Sequence, residues 1–437
     1  MKRIQIAALS LGASTLLHAA DPVDPALVKQ GEYLARAGDC VACHTAKGGK
    51  PFAGGLPMQT PIGTIYSTNI TPDPSGIGDY SFEDFERAVR QGIGLNGSTL
   101  YPAMPYPSYA RVSDDDMKAL YAYFMHGVQP VEQANKESDI PWPLSMRWPL
   151  AFWRTLFAPE VKPFEAAGQD PALARGAYLV EGLGHCGACH TPRALTMQEK
   201  ALDAAGGDAY LSGSAPLEGW IAKNLRGDHK DGLGSWSEAQ IVAFLKTGRN
   251  ERTAVFGGMS DVVEHSMQYM TDADLAAIAR YLKSLPPVNP DDKPFQEDRQ
   301  VAEALWKGDD AKAGAALYVD NCAACHRTDG KGYARVFPAL AGNPVLQSAD
   351  ATSLIHIVLE GATLPATATA PSTFTMPGFA WRMKDQEVAD VVNFIRSSWG
   401  NQAASVTASQ VADLRARPQP ALKAESLVGD TTGVKEP

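Results

Sequence analysis

Beyond the first twenty residues, no stretch of this 437-residue chain approaches the roughly 18 uninterrupted apolar residues of a membrane span, which excludes a multi-span membrane protein. Positive charge is in deficit. Lys and Arg number 39 against 49 Asp and Glu, the formal charge is −10, and no basic run interrupts the chain. Phosphate backbones are held by clustered Lys and Arg, so nucleic acid is not an expected partner. Cysteine is scarce, six in all, which excludes a small disulfide-stapled secreted fold. A P-loop, a dinucleotide fingerprint and a recognisable catalytic triad are also missing. What is there is a globular balance, 45% hydrophobic and 20% charged, too apolar for a disordered chain and long enough for roughly two to four domains.

Residues 1–20 read as an export signal. Lys2 and Arg3 form a positive start, Ile4 to Leu17 is mostly apolar, and Ala19-Ala20 offers small residues for cleavage before Asp21-Pro22. The expected location is therefore the periplasmic side of a bacterial inner membrane.

The six cysteines form three pairs, each followed at once by histidine: Cys40-Val41-Ala42-Cys43-His44, Cys186-Gly187-Ala188-Cys189-His190 and Cys322-Ala323-Ala324-Cys325-His326. Cys-x-x-Cys-His is the attachment signature of c-type haem. Two thiols add to the two vinyl groups, and the adjacent His44, His190 or His326 reaches the iron. A thioredoxin-like redox pair does not account for three copies with a neighbouring His. Zinc wants four ligands, and three pairs do not divide evenly. Disulfides between motifs leave the histidines unexplained. Three covalently bound haem c groups are expected.

The repetition extends beyond cysteine. A short helical segment with Gly and an aromatic precedes each motif: Gly31-Glu32-Tyr33-Leu34, Gly176-Ala177-Tyr178-Leu179 and Gly314-Ala315-Ala316-Leu317-Tyr318. An amphipathic helix closes each unit, at 117–125, 275–285 and 388–399, with Ser113, Thr271 and Asp385 as expected N-caps. Asn69-Ile70 followed by Gly76-Ile77-Gly78-Asp79-Tyr80-Ser81 matches Asn224-Leu225 followed by Gly232-Leu233-Gly234-Ser235-Trp236-Ser237, and both lead on to a Gly, Gly92 and Gly248. The expected architecture is all-α: three tandem class I-like cytochrome c domains at 21–128, 170–287 and 303–400. A Trp/Pro-rich linker is expected at 129–169, a second linker at 288–302 and a polar, loosely ordered tail at 401–437.

A haem held by His on one side needs a ligand on the other, and a His/Met pair raises its potential. Met104 lies in Tyr101-Pro102-Ala103-Met104-Pro105-Tyr106 and Met376 in Thr375-Met376-Pro377-Gly378, both in Pro-bounded loops before a closing helix. The second unit offers Met259, Met267, Met270 and His265; Met259, after Gly257-Gly258, is the choice because Met267 and Met270 abut the helix cap. His126 suits a helix C-terminus. His185 reads as packing near a haem edge, and His229 and His356 have no evident partner.

These motifs, with Ala103-Met104-Pro105-Tyr106, Gly258-Met259 before Val262-Val263, and Phe374-Thr375-Met376-Pro377, resemble the tri-haem cytochrome c subunits of bacterial membrane-bound dehydrogenases. Segments such as Ser67-Thr68-Asn69-Ile70-Thr71-Pro72 and 139–148 point, within that family, to the branch serving flavin-dependent gluconate 2-dehydrogenase; quinoprotein alcohol dehydrogenase and the sorbitol and fructose enzymes share the architecture. The resemblance implies a catalytic dehydrogenase subunit as partner, flavoprotein or quinoprotein, and allows a small accessory subunit. It implies electron delivery to ubiquinone, membrane association, and a Pro338 carbonyl that orients the axial His326. No catalytic residue is expected in this chain, since His/Met iron has no open site. The competing readings are a multihaem peroxidase and a free periplasmic shuttle. Trp142, Trp148, Phe152, Trp153, Leu156 and Phe157, with Arg147 and Arg154 among them, suit a membrane interface, a subunit interface or interdomain packing.

Overall fold

The structure is a computed structural model describing residues 23–417 apart from 166, 167, 169 and 218; the expected leader at 1–20 and the end of the tail at 418–437 lie outside the described residues. One plan recurs three times: an opening helix runs into the Cys motif, a middle helix follows, and a closing helix returns across the opening one. In unit one these helices are Pro25–Ala37, Phe82–Gln91 and Asp114–Ala122. In unit two they are Pro171–Ala177, continued by a π-helical turn Tyr178–Leu183, then Glu238–Thr247 and Asp272–Ser284. In unit three they are Ala315–Asn321, Thr352–Glu360 and Asp385–Arg396. The helical expectation acquires two small antiparallel pairs, Pro57–Thr60 with Gly63–Tyr66, and Gly361–Thr363 with Thr375–Pro377.

The repeated glycines explain why the helices can cross. A Cβ on Gly31 would stand 1.9 Å from the Ala119 carbonyl oxygen, on Gly176 2.1 Å from that of Ala277, and on Gly314 2.3 Å from that of Asp390. In every unit only glycine lets the opening helix lie against the backbone of the closing helix. The middle helices of units one and two start and stop as their matched sequences suggest. Ser81 and Ser237 accept from the backbone N–H of Asp84 and Gln240, whose side chains accept in return from the cap N–H. Gly92 and Gly248, with φ of 65° and 73°, supply the left-handed residue that ends each helix.

Ser113 and Thr271 cap their closing helices as expected, accepting from Asp116 and Asp274 at 3.2 and 3.1 Å. Asp385 does not cap the third: Lys384 holds the cap position and Glu387 accepts from its N–H, while Asp385 begins the helix and pairs with Arg415 at 2.7 Å. The tail also differs from expectation. Asn401 is buried, and a further helix, Ala408–Arg415, seats Val411 and Leu414 in the core of unit three. Two apolar residues one turn apart suffice to dock it, a signal outweighed in the composition by the Ala/Pro/Gly-rich residues around it.

Units one and two share one continuous core, from Leu34 and Met117 to Val180 and Leu275. Their contact is reciprocal. Tyr33 of unit one donates to Asp274 of unit two at 2.5 Å and accepts from the Thr271 N–H at 3.2 Å; Tyr178 of unit two donates to Asp116 of unit one at 2.5 Å and accepts from the Ser113 N–H at 3.2 Å. Each tyrosine holds the capped start of the other unit's closing helix, as a two-fold arrangement requires. Tyr318, the aromatic of the third repeat, stays inside its own unit and donates to the Arg327 carbonyl. Unit three has a separate core around Val388, Val392 and Phe394, joined to unit two by a small cluster of Val255, Val263 and Leu364.

Candidate haem centres

Each Cys-x-x-Cys segment forms a single helical turn after its opening helix, and none of the six cysteines is in a disulfide. Burial pushes the thiols of Cys40, Cys186 and Cys322 up to about 12, so the first sulfur of each motif is held as a thiol rather than a reactive thiolate. Cys43 and Cys189 are exposed, whereas Cys325 is half-buried like Cys322.

All three axial histidine candidates are oriented in the same way. Nδ1 lies 2.7 Å from the Thr68 carbonyl in His44, 2.6 Å from the Lys223 carbonyl in His190 and 2.9 Å from the Pro338 carbonyl in His326. A carbonyl only accepts, so Nδ1 carries the proton and Nε2 is left with the lone pair that iron needs. Burial lowers each imidazole below its ordinary value, against the opposing pull of that carbonyl, and keeps it neutral. The Pro338 contact matches the expectation. Thr68 and Lys223 were not foreseen, yet each stands immediately before the repeated Asn. Asn69 and Asn224 fold the following loop by accepting from the backbone of Thr71 and Arg226 at 2.9 and 2.8 Å. The repeat therefore carried the signal.

The methionines occupy matching places. In each unit the middle helix ends at a positive-φ glycine, an antiparallel bridge follows, and the candidate methionine comes next or within it: Ile93 bridges Thr99 before Met104, Arg249 bridges Ala254 before Met259, and Met376 pairs with Ala362. All three are partly buried against their units' cores. Met267 and Met270 are core residues, 6% and 1% exposed. His265 is pushed down by burial and then by the charge of Arg36 in unit one. The helix Gly258–His265, whose second residue is Met259, packs against the Cys40–Cys43 turn.

Several buried polar groups among the described residues have no hydrogen-bond partner in the protein: Tyr101 Oη, Tyr106 Oη and Arg154 Nε around the Met104 loop, and Tyr210 Oη, Trp220 Nε1, Trp236 Nε1 and Arg249 Nη1 in unit two. Buried donors of this kind call for carboxylates, and a haem brings two beside a broad apolar face. With paired thiols and a neutral His in each motif, these residues fit a covalently held haem; in unit three the fit rests on Cys322, Cys325 and His326.

His185, His229 and His356 are packing groups. His185 meets Tyr109 edge to face at 5.6 Å, His229 contacts Ser235 at 3.2 Å, and His356 stacks on Trp220 at 4.2 Å while bonding the Gly219 carbonyl. The last contact ties unit three to unit two.

The aromatic linker forms a helix, Trp148–Phe157, with two stripes. Trp153 and Phe157 turn inward: Trp153 donates to the Thr196 carbonyl at 2.7 Å and meets Tyr106 edge to face at 6.3 Å. Arg147 lies 4.0 Å over the Tyr101 ring. Trp148, Phe152 and Leu156 form the other stripe, 62%, 65% and 73% exposed, and Trp142 nearby is 80% exposed. No helix among the described residues is long and apolar enough to cross a membrane.

Comparison with known proteins agrees with this geometry. The cytochrome c family model matches three times, at 28–127, 173–286 and 311–399. The chain is 66% identical over 415 residues to the gluconate 2-dehydrogenase cytochrome c subunit of Pantoea cypripedii, covering 93% of this chain and 94% of that one. It is 56% identical over 415 residues to the cytochrome c subunit of the quinone alcohol dehydrogenase of Gluconobacter oxydans, covering 94% and 86%. To the fructose dehydrogenase cytochrome subunit of Gluconobacter japonicus it is 38% identical over 412 residues, covering 89% and 82%. The three Cys-x-x-Cys-His turns, each with an oriented histidine, and these full-length likenesses place the chain in the cytochrome c family, among the electron-transfer cytochrome c subunits of dehydrogenases.

Proposed function

We propose that this chain is the tri-haem electron-transfer subunit of a membrane-bound, periplasm-facing dehydrogenase, taking electrons from a catalytic flavoprotein subunit that oxidises gluconate and passing them to ubiquinone. The observation that carries it is the threefold recurrence of one unit: paired cysteines, a histidine whose Nδ1 is tied to a carbonyl, and a methionine loop after a glycine-ended helix. Bound haem would cycle between ferrous and ferric iron, one electron at a time. The chain's own residues do the rest. Cys40, Cys43, Cys186, Cys189, Cys322 and Cys325 anchor the three groups. His44 with Met104, His190 with Met259 and His326 with Met376 would hold the three irons, and a His/Met pair would favour electron transfer over binding of oxygen or substrate. Each unit is a compact class I-like domain, and the shared core and reciprocal Tyr–Asp contacts hold units one and two at a fixed separation. The exposed Trp142, Trp148, Phe152 and Leu156 suit the headgroup level of a bilayer, where aromatics are favoured.

Detergent purification of the full-length tagged chain tests this reading. The expected result is a co-purifying flavin-containing subunit and haem reduction on adding gluconate. A quinoprotein partner answering to ethanol would move the assignment to the alcohol enzyme. A lone cytochrome released without detergent would refute the complex.

A further inference from the structure

Arg249 lies where units two and three meet. It follows Gly248 at the end of the middle helix of unit two and bridges Ala254 before Met259. Its guanidinium sits 5.1 Å over the ring of Phe374, two residues before Met376 of unit three. Phe374 and Met259 pack in one small cluster with Val255, Val263 and Leu364. Phe374 also meets Phe337 edge to face at 5.9 Å, beside the Pro338 whose carbonyl orients His326. The side chain is 8% exposed. Among the described residues its guanidinium has neither a hydrogen-bond acceptor nor an ion-pair partner, and Nη1 is shielded from solvent altogether. Burial alone pulls it below its ordinary value, with no acid pulling the other way. A buried charge without a partner is costly, and an aromatic face offsets only part of that cost. The other buried arginines are compensated: Arg90 pairs with Glu86 and Asp114, while Arg226 and Arg396 each donate to backbone carbonyls. The repeat sharpens the contrast. The residue after the helix-ending glycine is Ile93 in unit one and Ala362 in unit three, both apolar. Unit two alone places a cation there, and the described protein supplies no anion to match it.

We propose that Arg249 poises electron exchange between units two and three: it pairs with a carboxylate of the haem held by Cys186 and Cys189, and its charge raises the potential of that centre above what the same ligands give without it. The inference rests on the tri-haem reading above and adds the residue that sets one centre apart from its repeats. Reduction adds one negative charge to a centre, so a fixed cation in a water-poor site favours the reduced form. Ile93 and Ala362 carry no charge, so the effect is confined to unit two. No bond or proton changes hands. Arg249 acts through its charge, and its contact with Phe374 holds the methionine loop of unit three against that of unit two.

The test is a redox titration of the full holo-chain, followed in the haem bands. Met259→Ala and Met376→Ala identify the components of units two and three. Arg249→Gln should lower the unit-two component, its reduction constant falling about tenfold, which for one electron is about 59 mV, and leave the other two in place. Arg249→Lys keeps the charge and should restore part of the shift. Loss of the unit-two haem in Arg249→Gln, rescued in Arg249→Lys, would equally support the pairing. Unchanged potentials in Arg249→Gln beside a lowered thermal stability would overturn the proposal and leave Arg249 a packing group of the junction. So would an equal fall in Arg249→Lys and Arg249→Gln, or a shift confined to the component that Met376→Ala identifies. A wild type carrying fewer than three haems would instead overturn the tri-haem reading itself.

Discussion

Replacing Tyr178 by Phe removes one hydroxyl and with it two contacts between units one and two: the 2.5 Å bond donated to Asp116 and the 3.2 Å bond accepted from the Ser113 N–H. The first is a hydrogen bond to a charged group, for which about 1.5–3 kcal/mol is the ordinary cost of removal. The Ser113 amide is partly exposed and regains a partner in water, so the sum stays within that range. Tyr33→Phe removes the mirror-image pair, with the same two distances. It should nevertheless cost less. Asp274 keeps two bonds from Arg175, at 2.8 and 2.9 Å, whereas Asp116 keeps only one, from Gln30 at 3.0 Å. Denaturant unfolding of the holo-chain, following the transition of the shared core, gives both values. A double-mutant cycle then separates the pair from general packing. Tyr178→Phe with Asp116→Asn should show a coupling of about 1 kcal/mol or more, and Tyr178→Phe with Asp274→Asn a much smaller one. A loss below about 0.5 kcal/mol for Tyr178→Phe, or the reverse order of the two tyrosines, would refute the reciprocal-clamp argument.

Gly176→Ala should destabilise by about 1–3 kcal/mol, because its Cβ meets the Ala277 carbonyl, whereas Gly258→Ala, with no atom within 4 Å, should be neutral or stabilising by up to about 1 kcal/mol; thermal unfolding of the two variants checks the contrast. Burial pushes the Asp274 carboxyl up, but hydrogen bonds from Arg175 and Tyr33 and the Arg175 charge outweigh it and leave it below its usual 3.8. Its contribution is therefore fully present above the unfolded carboxylate value and lost as pH falls through the lowered one. An acid titration of stability should be shallower in Asp274→Asn, and an equal slope would count against the pairing. Met104→Ala, Met259→Ala and Met376→Ala should each remove one Met-ligated haem signal from the spectrum of the oxidised protein. Met267→Ala and Met270→Ala should cost stability, about 2–5 kcal/mol, and leave the signals in place; loss of a signal in either of these would redirect the second ligand.

The haem chemistry was legible in the chain itself because it is local. Cys-x-x-Cys-His places both sulfurs and the histidine within one helical turn, and no distant contact is needed to recognise it. The threefold plan was legible for a related reason: each repeat must let two helices cross and must end a helix before its methionine loop, so Gly31, Gly176 and Gly314, and Gly92 and Gly248, recur at fixed places. The acceptors of His44 and His190 were only half legible. They are backbone carbonyls, which no side chain advertises, and only the asparagines beside them mark the spot. The tertiary structure alone decided the rest. That Asp116 and Asp274 serve the neighbouring unit, that Trp220 stacks on His356, and that Trp153 and Phe157 turn inward while Trp148 and Phe152 face outward all depend on how separate helices dock. Local sequence sets which residues lie on a helix face; which face meets which neighbour follows from packing shared between units, and that is a property of the assembled chain.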